Sequence, residues 1–218
     1  MLICGIEENE RIENILKLLA AHYPEAGSGL RYSDPYQLFV ATVLSAQTTD
    51  EQVNRITGDL FEVAPTVDHL SRMKPSELES YLKRVGLYRH KSRYLIEASR
   101  VIVEKYDGRI PEFFEELIKL PGVGRKTANI IISSAYGHPA IAVDTHVFRV
   151  AKRLCLAGGK NVDVVEEELK QVIPPEEWTI SHHRLIAHGR QVCNARKPQC
   201  ESCFLNRLCP HARQKGEI

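Results

Sequence analysis

The chain has 218 residues, with 29 Lys and Arg against 28 Asp and Glu, for a formal net charge of +1. Its 43% hydrophobic and 26% charged content is that of a soluble globular protein with enough apolar material for one or two cores. No apolar run approaches the thickness of a bilayer. The first residues are acidic, with no basic segment ahead of an apolar one, so we expect no membrane partner and a cytoplasmic protein.

Nearly every segment reads as helix. Ile12, Ile15, Leu16 and Leu19 recur at helical spacing. Asp34-Pro35 is an N-cap followed by proline at the first helical position, with Leu38, Phe39, Thr42 and Val43 on one face. Val53, Ile56, Leu60 and Phe61 mark a helix after Asp50. Pro75-Ser76 opens another that runs to Gly86. Lys91 to Tyr106 is amphipathic and stops at Asp107-Gly108. Pro111 opens a helix over Glu112 to Leu120, and its partner runs to about Tyr136 before Gly137-His138-Pro139 breaks the chain. Asp144 caps a helix bearing Val147, Val150, Ala151 and Leu154, and two more fill Asp163 to Ile173 and Glu176 to Gln191. No stretch alternates as a strand, so the expected class is all-α.

The near-zero net charge gives no support to a nucleic-acid partner, but its distribution is uneven. From Ser181 onward, Arg184, Arg190, Arg196, Lys197, Arg207, Arg213 and Lys215 face only Glu201 and Glu217. Lys83, Arg84, Arg89, Lys91 and Arg93 gather in the middle, and acidic residues collect elsewhere, as at Glu166 to Glu168. Two basic runs in one chain suit an anionic polymer as partner, whereas any single run suits a solvated surface equally well.

The segment Leu120 to Ala128, LPGVGRKTA, is a tight turn between two helices. Gly122 and Gly124 permit positive φ and close approach of another backbone. Amides at the start of the following helix, around Val123, Gly124 and Arg125, form a nest suited to a phosphate. A ligand-free helical hairpin is the alternative. Val85-Gly86-Leu87-Tyr88, also followed by basic residues, is a weak echo of this turn. Lys126 falls in the first turn of the second helix, where a cation is disfavoured by the dipole and partial burial would also favour a neutral, nucleophilic amine. Asp144, beyond its capping role, offers a rigidly held carboxylate.

Four of the six cysteines stand close together: Cys193, six residues, Cys200, two residues, Cys203, five residues, Cys209. So short a segment has no core of its own, and a metal centre would organise it. One close pair with wide gaps on both sides leaves zinc open and suits a larger iron–sulfur cluster somewhat better. Cys4 and Cys155 read as ordinary thiols.

Taken together, LSAQTTD at Leu44 to Asp50, LPGVGRKTA, VDTHVFRV at Val143 to Val150 and the cysteine spacing resemble the endonuclease III family. That family lies within the helix-hairpin-helix, Gly/Pro-Asp superfamily of DNA glycosylases, and the resemblance covers essentially the whole chain. It implies a two-lobed helical fold: a six-helix domain over 27–137, and a second lobe joining 1–26 to 138–218 and ending in the [4Fe-4S] loop. It implies double-stranded DNA with damaged bases or abasic sites as partner, and a monomer. Lys126 falls on the family's catalytic lysine, Asp144 on its catalytic aspartate, and Gln47 on the residue that fills the gap left by the extruded base. Cys193, Cys200, Cys203 and Cys209 fall on the ligands of a structural [4Fe-4S] cluster. Gly122, Val123, Gly124, Arg125, Lys91, Arg196 and Lys197 are expected at the DNA. Branches that only cut the glycosidic bond lack the lysine, so the resemblance implies a bifunctional glycosylase and abasic-site lyase acting on oxidised pyrimidines.

Overall fold

A computed structural model describes residues 2–214 of the chain and the side chains of residues 8–213; Lys215, Glu217 and the Cys4 side chain lie outside the described residues. Among the described residues there are helices and no strands. The α-helices are α1 Leu2–His22, α2 Pro35–Ser45, α3 Asp50–Val63, α4 Val67–Arg72, α5 Pro75–Leu82, α6 Tyr88–Tyr106, α7 Phe114–Leu117, α8 Arg125–Tyr136, α9 Thr145–Arg153, α10 Val162–Val172, α11 Trp178–Gln191 and α12 Pro210–Gln214. None of the described helices is long and apolar enough to cross a membrane.

The chain divides into two compact units, Ser28–His138 and the discontinuous Met1–Gly27 with Pro139–Ile218. In the first, α6 packs on α4 and α5, and α2 packs on α3 and α8. Phe39, Leu44, Leu60, Leu70, Leu78, Leu95 and Ile102 are fully buried among these helices. Each such side chain contributes about 1.5–3 kcal/mol relative to exposure. Local chemistry fixes where elements start and stop. The Gln37 amide donates to the Asp34 carboxylate at 2.8 Å, and Pro35 needs no amide partner. Gly137 ends α8 at φ 71, a left-handed stop that glycine adopts without strain.

Three expectations about this unit need correction. The helix opened by Pro75 ends at Leu82 and not at Gly86, because the Val85 amide turns back to the Leu82 carbonyl at 2.8 Å. The helix expected over Glu112 to Leu120 shrinks to Phe114–Leu117. Phe113 is still extended, and the exit closes through tight bonds such as Leu120 N to Leu117 O at 3.0 Å. Helix α4 was not expected: Val67 and Leu70, three apart, make a single helical step, too short a pattern to announce a helix.

The second unit is built round α1. Ile12, Ile15, Leu16 and Leu19 share one core with Val147, Val150 and Ala151 of α9, Val165 and Leu169 of α10, and Leu185 of α11. Leu205, Cys200, Cys209 and Ala212 belong to the same core, so the cysteine segment is packed into the unit rather than appended to it. Arg11 stitches the two ends of the chain together, donating to the Leu154 carbonyl at 2.9 Å and the Leu208 carbonyl at 3.0 Å.

Candidate functional site

In the unit Ser28–His138 the Gly-Val-Gly turn joins α7 to α8. Gly122 has φ 77, and a β-carbon there would lie 2.7 Å from the Tyr94 β-carbon, so glycine is required for both conformation and space. Gly124 is the N-cap of α8 and brings no side chain to cap it. The Val123 amide, by contrast, donates to the Leu120 carbonyl at 3.1 Å and its side chain is buried. Val123 therefore packs the turn and helps fix its shape. Arg125 lays its guanidinium over the Phe114 ring at 5.0 Å, which ties the start of α8 back to α7. Lys126, the next residue, is exposed in the first turn of α8, and the partial burial considered for it is absent.

Two neighbouring loops carry non-glycine residues in the left-handed region: Gln47 with φ 56 after α2, and Leu87 with φ 58 before α6. Such backbone is strained and persists only where its surroundings hold it. The two loops touch, since a β-carbon on Gly86 would sit 3.0 Å from the Gln47 carbonyl oxygen. Gln47 is exposed, and Leu87 is 58% exposed on its turn. An exposed leucine on a rigid turn has the form of an apolar wedge, a type of side chain that DNA-bending proteins insert between bases. Leu87 lies in the Val85-Gly86-Leu87-Tyr88 echo of the glycine turn, where a large apolar side chain directly after a glycine is the sign in the sequence.

Lys91 does not stand on this surface. It is 5% exposed, and its ammonium donates to the Leu44 carbonyl at 2.9 Å, to the Ala46 carbonyl, and to Thr48 Oγ1 at 3.4 Å. Burial pulls its pKa down to about 8. All three donors of the ammonium are used internally, so the expected DNA contact at Lys91 is corrected.

Asp144 belongs to the other unit, at the start of α9. The His146 and Val147 amides both donate to its Oδ1, each at 2.8 Å. The carboxylate is half-buried and held by the cap, so its position is fixed by the same bonds that begin the helix.

The four cysteines Cys193, Cys200, Cys203 and Cys209 line one pocket together with Leu154, His188, Val192 and Ala212. Amide and side-chain N–H groups point at the sulfurs. Leu205 N lies 3.4 Å from Cys203 Sγ, Arg153 donates to Cys193 Sγ at 3.3 Å, and His188 Nε2 is 3.8 Å from Cys203 Sγ. The backbone at His211 and Ala212 bonds Cys209. Burial pushes the Cys203 and Cys209 thiols up, so bare they stay protonated, whereas a cationic metal centre favours the thiolates these donors suit. No group of three or more His, Cys, Asp or Glu among the described residues is gathered for a metal ion. The four cysteines line one space, and four thiols are the donor set an iron–sulfur cluster takes. Burial likewise lowers His188 to about 4, with His22 adding to the effect, so its ring is neutral beside Cys203.

Two residues that hold this segment were not singled out in the sequence. Arg149 donates to the Cys193 carbonyl at 3.1 Å, and Arg153 to the Asn194 and Ala195 carbonyls at 2.8 and 2.9 Å. Their spacing of four along α9 was the available sign. Arg196 and Lys197 follow directly and are exposed.

Residues 40–175 match the family described as HhH-GPD superfamily base excision DNA repair protein. Endonuclease III of Haemophilus influenzae is 45% identical over 213 residues, 98% of this chain and 100% of that protein. Endonuclease III of Escherichia coli K12 is 44% identical over 209 residues, 96% of this chain and 98% of that protein. A solved structure of a trapped endonuclease III–DNA covalent intermediate matches with a TM-score of 0.90 and 44% identity, covering 95% of this chain and 98% of that one. A non-covalent endonuclease III–DNA complex matches with a TM-score of 0.90 over 96% of this chain and 99% of that one.

Proposed function

The chain belongs to the HhH-GPD superfamily of base excision DNA repair proteins, and within it to the endonuclease III family, and from this we infer how its own residues work on DNA. It is a DNA glycosylase and abasic-site lyase of base-excision repair, acting on duplex DNA that carries damaged bases. Oxidised pyrimidines are the substrate class we assign to it.

The glycosidic carbon is inaccessible inside a stacked duplex, so the nucleotide must leave the stack before chemistry can occur. Gln47 fills the place it vacates, and Leu87 inserts between the neighbouring bases. Gly122, Gly124 and the start of α8 hold a backbone phosphate, and Arg196 and Lys197 bind others. Arg125 supports this turn through its seat on Phe114.

Lys126 supplies the nucleophile. Its neutral amine attacks C1′, and the bond from C1′ to the base nitrogen breaks, with the electron pair and a proton leaving on the base. The C1′–O4′ bond then breaks as O4′ takes up a proton from water, leaving a protonated Schiff base on Nζ. Loss of a C2′ proton then expels the 3′ phosphate, breaking the strand, and water releases the lysine. Asp144 stabilises the positive charge that develops at the sugar and helps move protons. Cys193, Cys200, Cys203 and Cys209 hold a [4Fe-4S] cluster, which when bound cross-links the segment that presents Arg196 and Lys197. We place the protein in the cytoplasm, at its DNA.

The observation that carries the reading is Lys126 at the head of α8, directly after the glycine turn, in a chain whose relative has been trapped covalently on DNA. Borohydride reduction with a duplex containing one thymine glycol tests it. A covalent protein–DNA band is expected from the wild type and none from Lys126→Gln. A band of equal strength from the variant would remove Lys126 from this role.

A further inference from the structure

Lys91 is a buried cation whose three partners are all neutral oxygens. Two of those oxygens, on Leu44 and Ala46, are carbonyls at the end of α2, where a helix leaves its acceptors without amide partners and its dipole is negative. The third is the hydroxyl of Thr48. The ammonium therefore grips the chain on both sides of Gln47. Gln47 itself has φ 56, a conformation an L-residue holds only under constraint. Gly86 closes from the other side, against the Gln47 carbonyl. The same lysine is bound into the Leu87 turn, because its amide donates to the Leu87 carbonyl at 3.1 Å.

A buried methionine of similar length would fill the site without bringing a charge out of water. Burial already holds the ammonium well below the usual lysine range, at about 8. What the charge supplies that an apolar side chain cannot is a three-way grip on the loop.

We propose that Lys91 is a positioning residue whose ammonium locks the Ala46–Thr48 loop so that Gln47 stands ready to enter the gap left by an extruded nucleotide. The proposal rests on the role given to Gln47 above. It separates Lys91 from the phosphate-binding surface to which its sequence neighbourhood assigns it. Lys91 acts through Gln47 and touches no DNA.

The test is a double-mutant cycle on binding, read with the full-length holoprotein. The probe is a duplex carrying one tetrahydrofuran abasic analogue, compared with the same duplex undamaged. Lys91→Met is expected to lose about tenfold in the preference for the analogue. In a Gln47→Ala background, which has already lost the gap-filling side chain, Lys91→Met should change the preference less than twofold. Lys91→Gln, which retains an N–H donor, should recover part of the loss, and it stands in for the methionine variant if that one fails to melt cooperatively. An equal tenfold loss with and without Gln47, or no loss at all, overturns the proposal. A wild type with no preference for the analogue overturns the glycosylase reading beneath it, which is a distinguishable result.

Discussion

Gly86 leaves no space for a side chain because the Gln47 carbonyl oxygen lies 3.0 Å from where its β-carbon would stand. That neighbour is backbone, and it would have to give by a few tenths of an ångström, beside carbonyls that Lys91 holds at Leu44 and Ala46. The contact joins the loop after α2 to the turn before α6, so disturbing one displaces the other.

Gly86→Ala should therefore impair base removal more than it impairs folding. We expect a stability loss of about 1–2 kcal/mol, in the range for overpacked sites, and a fall of about tenfold in kcat/KM on a thymine-glycol duplex. Thermal melting and single-turnover kinetics read the two separately. Full activity with a lowered melting temperature would show that the Gln47 loop tolerates displacement.

The buried charge of Lys91 predicts a pH dependence of stability. Its pKa is lowered by burial from 10.5 to about 8 in the folded protein. Between those values the unfolded chain binds more protons than the native one, so this group makes stability rise with pH across the window. Below about 8 the lysine is charged in both states and the burial penalty is fully present. Denaturant unfolding of wild type and Lys91→Met from pH 7 to pH 10.5 should show a steeper rise with pH in the wild type. Parallel curves would mean that the native lysine titrates normally.

At Asp144 capping and chemistry can be told apart. Asparagine retains a side-chain oxygen for the His146 and Val147 amides, whereas alanine does not. Asp144→Ala should cost about 1 kcal/mol of stability and Asp144→Asn a few tenths. Both should lose about 100-fold or more in strand cleavage if the carboxylate charge is what the reaction uses. An active asparagine variant would reduce Asp144 to a cap.

Arg153 bonds Cys193, Asn194 and Ala195, where the cysteine segment begins. Arg153→Met keeps the aliphatic stem and removes these bonds. The purified variant should hold less iron and sulfide per chain than the wild type and melt several degrees lower, at about 2–4 °C per kcal/mol for a chain of this size. Unchanged iron content and melting would place the anchoring elsewhere, with Arg149 the next side chain to examine.

What could be read in the sequence was chemistry that acts within a few residues. Asp34-Pro35, Asp144 and Gly137 announce helix ends because a cap or a left-handed stop involves only near neighbours. Pro111 misled, since a proline suits extended backbone as well as a first helical turn, and Phe113 remains extended. Lys91 was counted with a basic run, yet it shares a helical stripe with Leu95, Ala98 and Ile102, all buried. That register was visible in the sequence, and charge obscured it. The Gln47–Gly86 contact was not visible, because it joins loops distant in the chain and depends on backbone angles that residue type does not specify.

The Arg11 bonds to Leu154 and Leu208 span 143 and 197 positions of the chain. During synthesis α1 emerges well before the helices it packs on. Its apolar stripe of Ile12, Ile15, Leu16 and Leu19 waits for α9, α10 and α11, which follow the whole of the Ser28–His138 unit. Until those helices are made, the stripe is open to aggregation and proteolysis.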